Sequence, residues 1–109
     1  MPTEITGYHA HVYYTEASRE LADQLRERVA ASFAVTLGRW REEPVGPHPQ
    51  SMYQIVFAPA LFGELVPWLM LNRAGLIILV HPETGDDLID HRDYPLWLGE
   101  KFALRLEFL

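Results

Sequence analysis

The chain has 109 residues, enough for one domain with its own core and too few for two, so a single domain over residues 1–109 is expected. A composition of 49% hydrophobic and 22% charged residues is that of a globular protein, and a formal charge of -6 argues against a nucleic acid partner, whose phosphates call for a basic face. With no cysteine there are neither disulfides nor thiolate metal sites, no apolar run reaches the length of a membrane span, and no basic segment precedes an apolar one near the first residue; a cytoplasmic protein without membrane attachment is expected.

Residues 5 to 14 include "GYHAHVYY", rich in β-branched and aromatic residues, which reads as a strand. Side chains alternate along a strand, so Ile5, Gly7, His9, His11 and Tyr13 share one face, and Tyr8, Ala10, Val12 and Tyr14 the other. After Thr15, a candidate N-cap, Leu21, Leu25, Val29 and Phe33 recur every fourth residue among Arg, Glu and Asp, the pattern of an amphipathic helix. "AVTLGRW" offers a short strand. Three prolines and a glycine between Pro44 and Pro49 then make a stiff loop, and "SMYQIVF" reads as a third strand. Pro59 opens a second helix that Pro67 should kink or divide, and the run from Asn72 to Gly75 should stop it. "LIILV" is a continuous apolar strand running directly into His81 and Pro82. The tail from Leu88 onward should pack back on the domain and add a last strand at "LRLEF".

The order β, α, β, β, α, β is two split βαβ units, an α+β ferredoxin-like sandwich with one antiparallel sheet and helices on one face. With Ala10, Val12 and Tyr14 toward the helices, His9 and His11 fall on the open face, and His81 at the end of the neighbouring strand reaches the same place. His48 in "PVGPHP" is brought there by its loop; His91 stands in "IDHRD". A lone histidine is usually a surface or hydrogen-bonded core residue. Imidazoles fixed at period two on a strand, in a rigid loop and at a strand end are also how rings are set in place around a metal ion. Nitrogen ligands with a carboxylate suit Fe(II), Zn, Mn, Ni or Cu alike, and Glu107, Asp90 and Asp93 are the candidate carboxylates. Tyr8, Tyr13, Trp40, Tyr53, Trp68, Tyr94 and Trp97 read as core or subunit contact, and Arg39 and Arg73 either clamp a substrate carboxylate or serve as surface charge and helix cap. A sheet with one uncovered apolar face favours a homodimer.

The stretches "HAHVYY", "PVGPHP", "WLMLNRAGLIILVHPETGDD" and "DHRDYPLWLGE", in that order, resemble the DOPA 4,5-dioxygenase-like family of small extradiol ring-cleaving enzymes over nearly the whole chain. The resemblance implies a ferredoxin-like dimer and Fe(II)-dependent insertion of both atoms of dioxygen into a catechol ring, giving a muconic semialdehyde, with zinc or nickel possible in isolated protein. It points to His9, His11, His81 and His48 as the metal site, with His48 doubling as the acid/base group and His91 as a further catalytic candidate. The competing readings are another metalloenzyme on the same histidines, such as a zinc hydrolase or isomerase, and a ferredoxin-like binding module in which the histidines are structural.

Overall fold

A computed structural model describes residues 3–109. Strand β1 (Gly7–Tyr13) sits at the centre of a five-stranded sheet whose order is β2-β3-β1-β4-β5, with β2 at Thr36–Leu37, β3 at Met52–Phe57, β4 at Ile77–Glu83 and β5 at Leu96–Leu98; every neighbouring pair is antiparallel. Helix α1 (Arg19–Ser32) follows β1 and α2 (Phe62–Asn72) follows β3, which gives the expected α+β, ferredoxin-like architecture. The register sets the site: His9 lies opposite His81, and His11 opposite Leu79 on one side and Gln54 on the other.

The main core lies between the sheet and the two long helices. Ala10, Val12, Ile55, Ile78 and Val80 from the strands meet Ala22, Leu25, Val29, Leu65, Val66 and Leu69 from the helices. Burying each of the larger aliphatic side chains is worth about 1.5–3 kcal/mol relative to exposure, so this face carries most of the stability. The buried stripe of α1 runs through Ala22, Leu25 and Val29, while Leu21 is exposed. A strict spacing of four drifts off a 3.6-residue helix, which is why Leu21 leaves the stripe that Leu25 and Val29 keep. Thr15 precedes a short 3₁₀ turn, Glu16–Ser18, and its backbone N–H donates to Ser18 Oγ at 2.9 Å before α1 begins. Pro67 sits inside α2 without dividing it. The helix ends at Arg73, whose Nη1 donates to the Leu76 carbonyl at 2.8 Å, and the chain turns through Ala74 and Gly75, both at positive φ.

Two expectations for the second face change. The last strand is "LWL", Leu96–Leu98, which pairs with the free edge of β4, and no strand forms at "LRLEF", where Leu106–Phe108 is a 3₁₀ turn. The alternation in that tail has another use. Phe102 and Leu104 turn inward from an extended segment and pack against Tyr13, Met52, Leu79, Ile77 and Trp97, and the Arg105 N–H donates to the Pro47 carbonyl at 2.8 Å. The face expected to be open is therefore half covered by a strap of the chain's own tail. The other half, beyond Tyr13 toward Gly7, carries the histidines and is approached by a short helix, α3 (Asp87–Arg92).

Candidate functional site

Period-two alternation on β1 and β4 delivers the first three rings. His9 and His11 share a face of β1, and His81 shares it from β4. The fourth comes from the proline loop. Gly46 takes a left-handed φ of 54°, the His48 N–H donates to the Val45 carbonyl at 3.1 Å, and Pro47 is buried under the strap, so the loop closes with His48 turned inward and only 4% exposed. The fifth, His91, is presented by α3, whose Asp86 caps the helix by accepting from the Ile89 N–H at 3.2 Å. Ring centroids lie 4.0 Å apart for His81 and His91, 4.1 Å for His11 and His48, 5.1 Å for both His9 and His11 against His81, and 5.9 Å for His48 and His91. All five histidines of the chain thus meet in one cluster.

The hydrogen bonds sort the rings by tautomer. His81 Nδ1 is 3.0 Å from the Pro82 carbonyl and His91 Nδ1 is 2.7 Å from the Asp87 carbonyl. A carbonyl only accepts, so both Nδ1 atoms carry the hydrogen and both Nε2 atoms are left with a lone pair. His11 Nε2 lies 3.0 Å from His81 Nε2, and His11 Nδ1 is buried with no partner among the described residues. His9 Nδ1 is 3.3 Å from Glu83 Oε1, and the same oxygen is 3.6 Å from His81 Nδ1. His48 Nδ1 is bonded at 2.7 Å to the hydroxyl of Tyr13.

Burial governs the charge states. Desolvation, reinforced by neighbouring imidazoles, pulls His11 well below the usual histidine range, His48 down to about 4 and His9 downward; burial likewise takes His81 down to about 3 against the opposing bond to Pro82. At neutral pH these four are neutral imidazoles, the form that ligates metals. Glu83 moves the other way, its carboxyl pushed up by burial and by the nearby Asp87 and Asp90.

One ring nitrogen from each of His9, His11 and His81 lies within 4.8 Å of the others, and the same holds for His11, His48 and His91. The Nε2 atoms of His11 and His81 lie 3.0 Å apart, close enough for both to reach one ion. An orphaned nitrogen on His11, lone pairs fixed by carbonyl acceptors on His81 and His91, and a carboxylate behind His9 are what a divalent ion's donor set looks like, so the residues fit such an ion. The carboxylate differs from those expected. Asp90 is buried but accepts from the Thr84 N–H and hydroxyl, Asp93 pairs with Arg92 at the surface, and Glu107 is exposed. Glu83 was legible as the residue two beyond His81 on the same strand face.

A cavity of about 210 Å³ opens onto the cluster, lined by His9, His11, His48, Gln54, Glu83 and His91 among others. Pro47, His48 and Gln54 also line an adjoining cavity of about 250 Å³, whose far wall carries Arg39 and Arg41. Both arginines are exposed, and among the described residues neither is in a salt bridge. Arg73, the other arginine considered from sequence, is the α2 cap. A larger cavity of about 420 Å³ is lined by Tyr8, Phe62, Val80, His81, Tyr94 and Leu96 among others, and is predominantly apolar. Of the aromatic residues, Tyr13 and Trp97 border the cluster, while Trp40, Tyr53 and Trp68 belong to the helix-side core.

The chain is similar to known proteins over most of its length. The model of the Dopa 4,5-dioxygenase family matches residues 8–108. A DOPA 4,5-dioxygenase of Amanita muscaria is 36% identical over 115 residues, covering 97% of this chain and 50% of that protein, and an uncharacterized 21.2 kDa protein of Botryotinia fuckeliana is 36% identical over 115 residues, covering 94% and 63%. The chain therefore spans between half and two thirds of these curated relatives. The crystal structure of a candidate dioxygenase from Nostoc punctiforme shares 59% identity and superposes with a TM-score of 0.94, covering 95% of this chain and 90% of that one.

Proposed function

This chain belongs to the Dopa 4,5-dioxygenase family, and we propose that it is an extradiol dioxygenase, a single-domain enzyme that opens a catechol ring such as that of DOPA with dioxygen to give a muconic semialdehyde. The observation that carries the reading is the convergence of five histidines in one cluster, with His9, His11, His48 and His91 lining a cavity and burial holding His9, His11, His48 and His81 neutral. A catechol plus dioxygen contains every atom of the product, so the reaction draws on no external reductant. The protein's task is to place the diol, exclude water and shuttle a proton.

His9, His11 and His81 are the residues that would hold Fe(II), with Glu83 behind His9 and His81, and His11, His48 and His91 converge as a second trio. When bound, the ion would acidify the diol and couple its electrons to dioxygen. His48 lies on the cavity wall between the histidine cluster and the arginine-lined space. It is the group assigned here to the acid/base work of ring opening. Arg39 and Arg41 face the far end of a substrate that reaches past His48, where a side-chain carboxylate would meet unpaired guanidinium groups. Zinc or nickel also suits the same nitrogens in isolated protein.

No helix among the described residues is long and apolar enough to cross a membrane, and the reading places the enzyme in the cytoplasm. The homodimer expected from an uncovered sheet face rests on less, since Phe102 and Leu104 cover much of that face; light scattering at micromolar concentration decides it.

The test is anaerobic loading with Fe(II), metal analysis, and oxygen uptake against DOPA, caffeate and protocatechuate. One iron per chain with stoichiometric oxygen consumption and a yellow ring-opened product is expected. Full iron occupancy with no oxygen uptake on any catechol would remove the dioxygenase reading in favour of another metalloenzyme, and failure to bind any divalent ion would favour a binding module.

A further inference from the structure

We infer that Tyr13 is a positioning residue that fixes the tautomer of His48, so that His48 presents an N–H to the cavity where His81 and His91 present lone pairs. The inference rests on the dioxygenase reading only for the use to which that N–H is put. Tyr13 is 2% exposed, stacked near Trp97 with a centroid separation of 6.0 Å and met edge-on by Phe102 at 5.2 Å. Its hydroxyl has one partner among the described residues, His48 Nδ1 at 2.7 Å.

Hydrogen counting decides the direction of that bond. A phenol has a single hydrogen, and a buried hydroxyl left without an acceptor is costly. If His48 Nδ1 held its own hydrogen and donated to Tyr13, the phenolic hydrogen would have no acceptor. The alternative satisfies both groups: Tyr13 donates, Nδ1 accepts, and the ring's hydrogen resides on Nε2. Burial also keeps the phenol protonated, its ionisation pushed well above the usual tyrosine range. Among the described residues His48 Nε2 has no hydrogen-bond partner, yet it is not sealed from solvent, so it opens to the space that the ring lines.

The contrast with the neighbouring rings is built from backbone. His81 and His91 place Nδ1 against carbonyl oxygens, which can only accept, and are locked in the opposite tautomer. His81 and His91 are thereby equipped to donate an electron pair, and His48 to donate a hydrogen to the cavity. His48 could bind an ion through Nε2 only by surrendering that hydrogen. With it, His48 is placed to hydrogen-bond an anionic oxygen of a bound diol. Tyr13 is on the same strand face as His9 and His11, so the strand that carries two rings of the cluster also sets the state of a third.

The experiment is two-bond proton–nitrogen correlation spectroscopy of the full chain labelled with ¹⁵N-histidine, chelator-treated so that no paramagnetic ion broadens the lines, at about pH 8, where the imidazoles are neutral. His48 is assigned by the signals missing from His48→Asn. In wild type, His48 should show a protonated Nε2 and a bare Nδ1, with His81 and His91 showing the reverse. Tyr13→Phe keeps the ring and its packing but removes the donor, and should shift His48 toward the Nδ1–H form while leaving His81 and His91 unchanged. A wild-type His48 with its hydrogen on Nδ1, or an Nε2–H pattern that persists in Tyr13→Phe, would overturn the inference. In the iron-loaded enzyme Tyr13→Phe should lower kcat about tenfold with iron content and KM near wild type; equal loss of iron and turnover would make Tyr13 a support for the metal site instead. If wild type turns over no catechol, the function reading fails, and the spectra still decide the tautomer.

Discussion

The two faces of the sheet are made by the same strands and do opposite things. On β1, Ala10 and Val12 are wholly buried against aliphatic side chains from both long helices, while His9 and His11, one residue away, point into a cluster of imidazoles. Apolar contact on the helix side is favourable for every atom. On the histidine side, four rings are held below their usual ionisation range by burial, and His11 Nδ1 has no hydrogen-bond partner among the described residues. Burying a polar group without a partner opposes folding. The helix face therefore supplies the stability that the histidine face uses, and substitutions on the two should separate stability from function.

The largest separation is expected between Leu65 and His11. Leu65 is fully buried between α2 and the sheet, and Leu65→Ala should cost about 2–5 kcal/mol, from lost burial and the cavity left behind. His11→Ala in the metal-free protein removes a ring with an unsatisfied nitrogen and should cost no more than about half as much. Urea unfolding of both variants with chelator present measures the difference; equal losses would mean that His11 is a core residue first. In iron-binding assays the order reverses: His11→Ala should lose the metal and Leu65→Ala, while folded, should keep it.

Within the histidine face, His48 and His11 should also part company. His48→Ala should retain most of its iron and lose turnover by roughly a hundredfold or more, the scale of an acid/base contribution. Bound iron and single-turnover rate after anaerobic loading, with His11→Ala alongside, provide the check. Complete iron loss in His48→Ala would make His48 a ligand and pass the proton role to another group.

Acid should weaken the histidine face alone. The unfolded histidines take up protons near their ordinary value of about 6.5, while His48 and His81 in the fold resist until about 4 and about 3. Below about 6.5 the unfolded chain therefore binds more protons than the folded one, and stability rises with pH across that window. Above it these groups are neutral in both states and contribute no slope. Metal-free protein should lose stability steadily from pH 7 downward, by urea midpoint, and His48→Asn should flatten the slope. A midpoint that does not move between about pH 7 and about pH 5 would contradict the buried, neutral cluster.

How much of this was legible follows from which forces are local. The face assignment of His9 and His11 needed only the period of a strand, and their meeting with His81 needed only the ferredoxin-like strand order. The inward turn of His48 was suggested by the prolines, but its bond to Tyr13 depends on a loop closing over the sheet, a contact between residues 35 apart. His91 could be named but not placed, because α3 is a short helix whose position depends on β4 and on the tail. The "LRLEF" segment shows the limit most clearly. It was read as a strand, yet a strand also needs a free edge, and Leu96–Leu98 had already taken that of β4.

The smallest expected effect concerns the wall beyond His48. Arg39 and Arg41 stand exposed on a cavity contiguous with the histidine cavity through Pro47, His48 and Gln54, in a chain of net charge -6. Unpaired guanidinium groups on an otherwise acidic protein favour the carboxylate of a substrate over the same ring without one. Exposed charges are screened by water and salt, so Arg39→Ala or Arg41→Ala should raise KM for DOPA or caffeate only about fivefold, leave kcat nearly unchanged, and have little effect on unsubstituted catechol. The difference should shrink as salt rises past about 0.5 M, since screening acts on the charge and not on the ring. Steady-state oxygen uptake with the carboxylated and uncharged substrates, at low and high salt, measures it. An equal rise in KM for catechol itself would show that the arginines shape the cavity and do not read the carboxylate, and the selectivity would then have to lie with the groups nearer the imidazoles, Gln54 first.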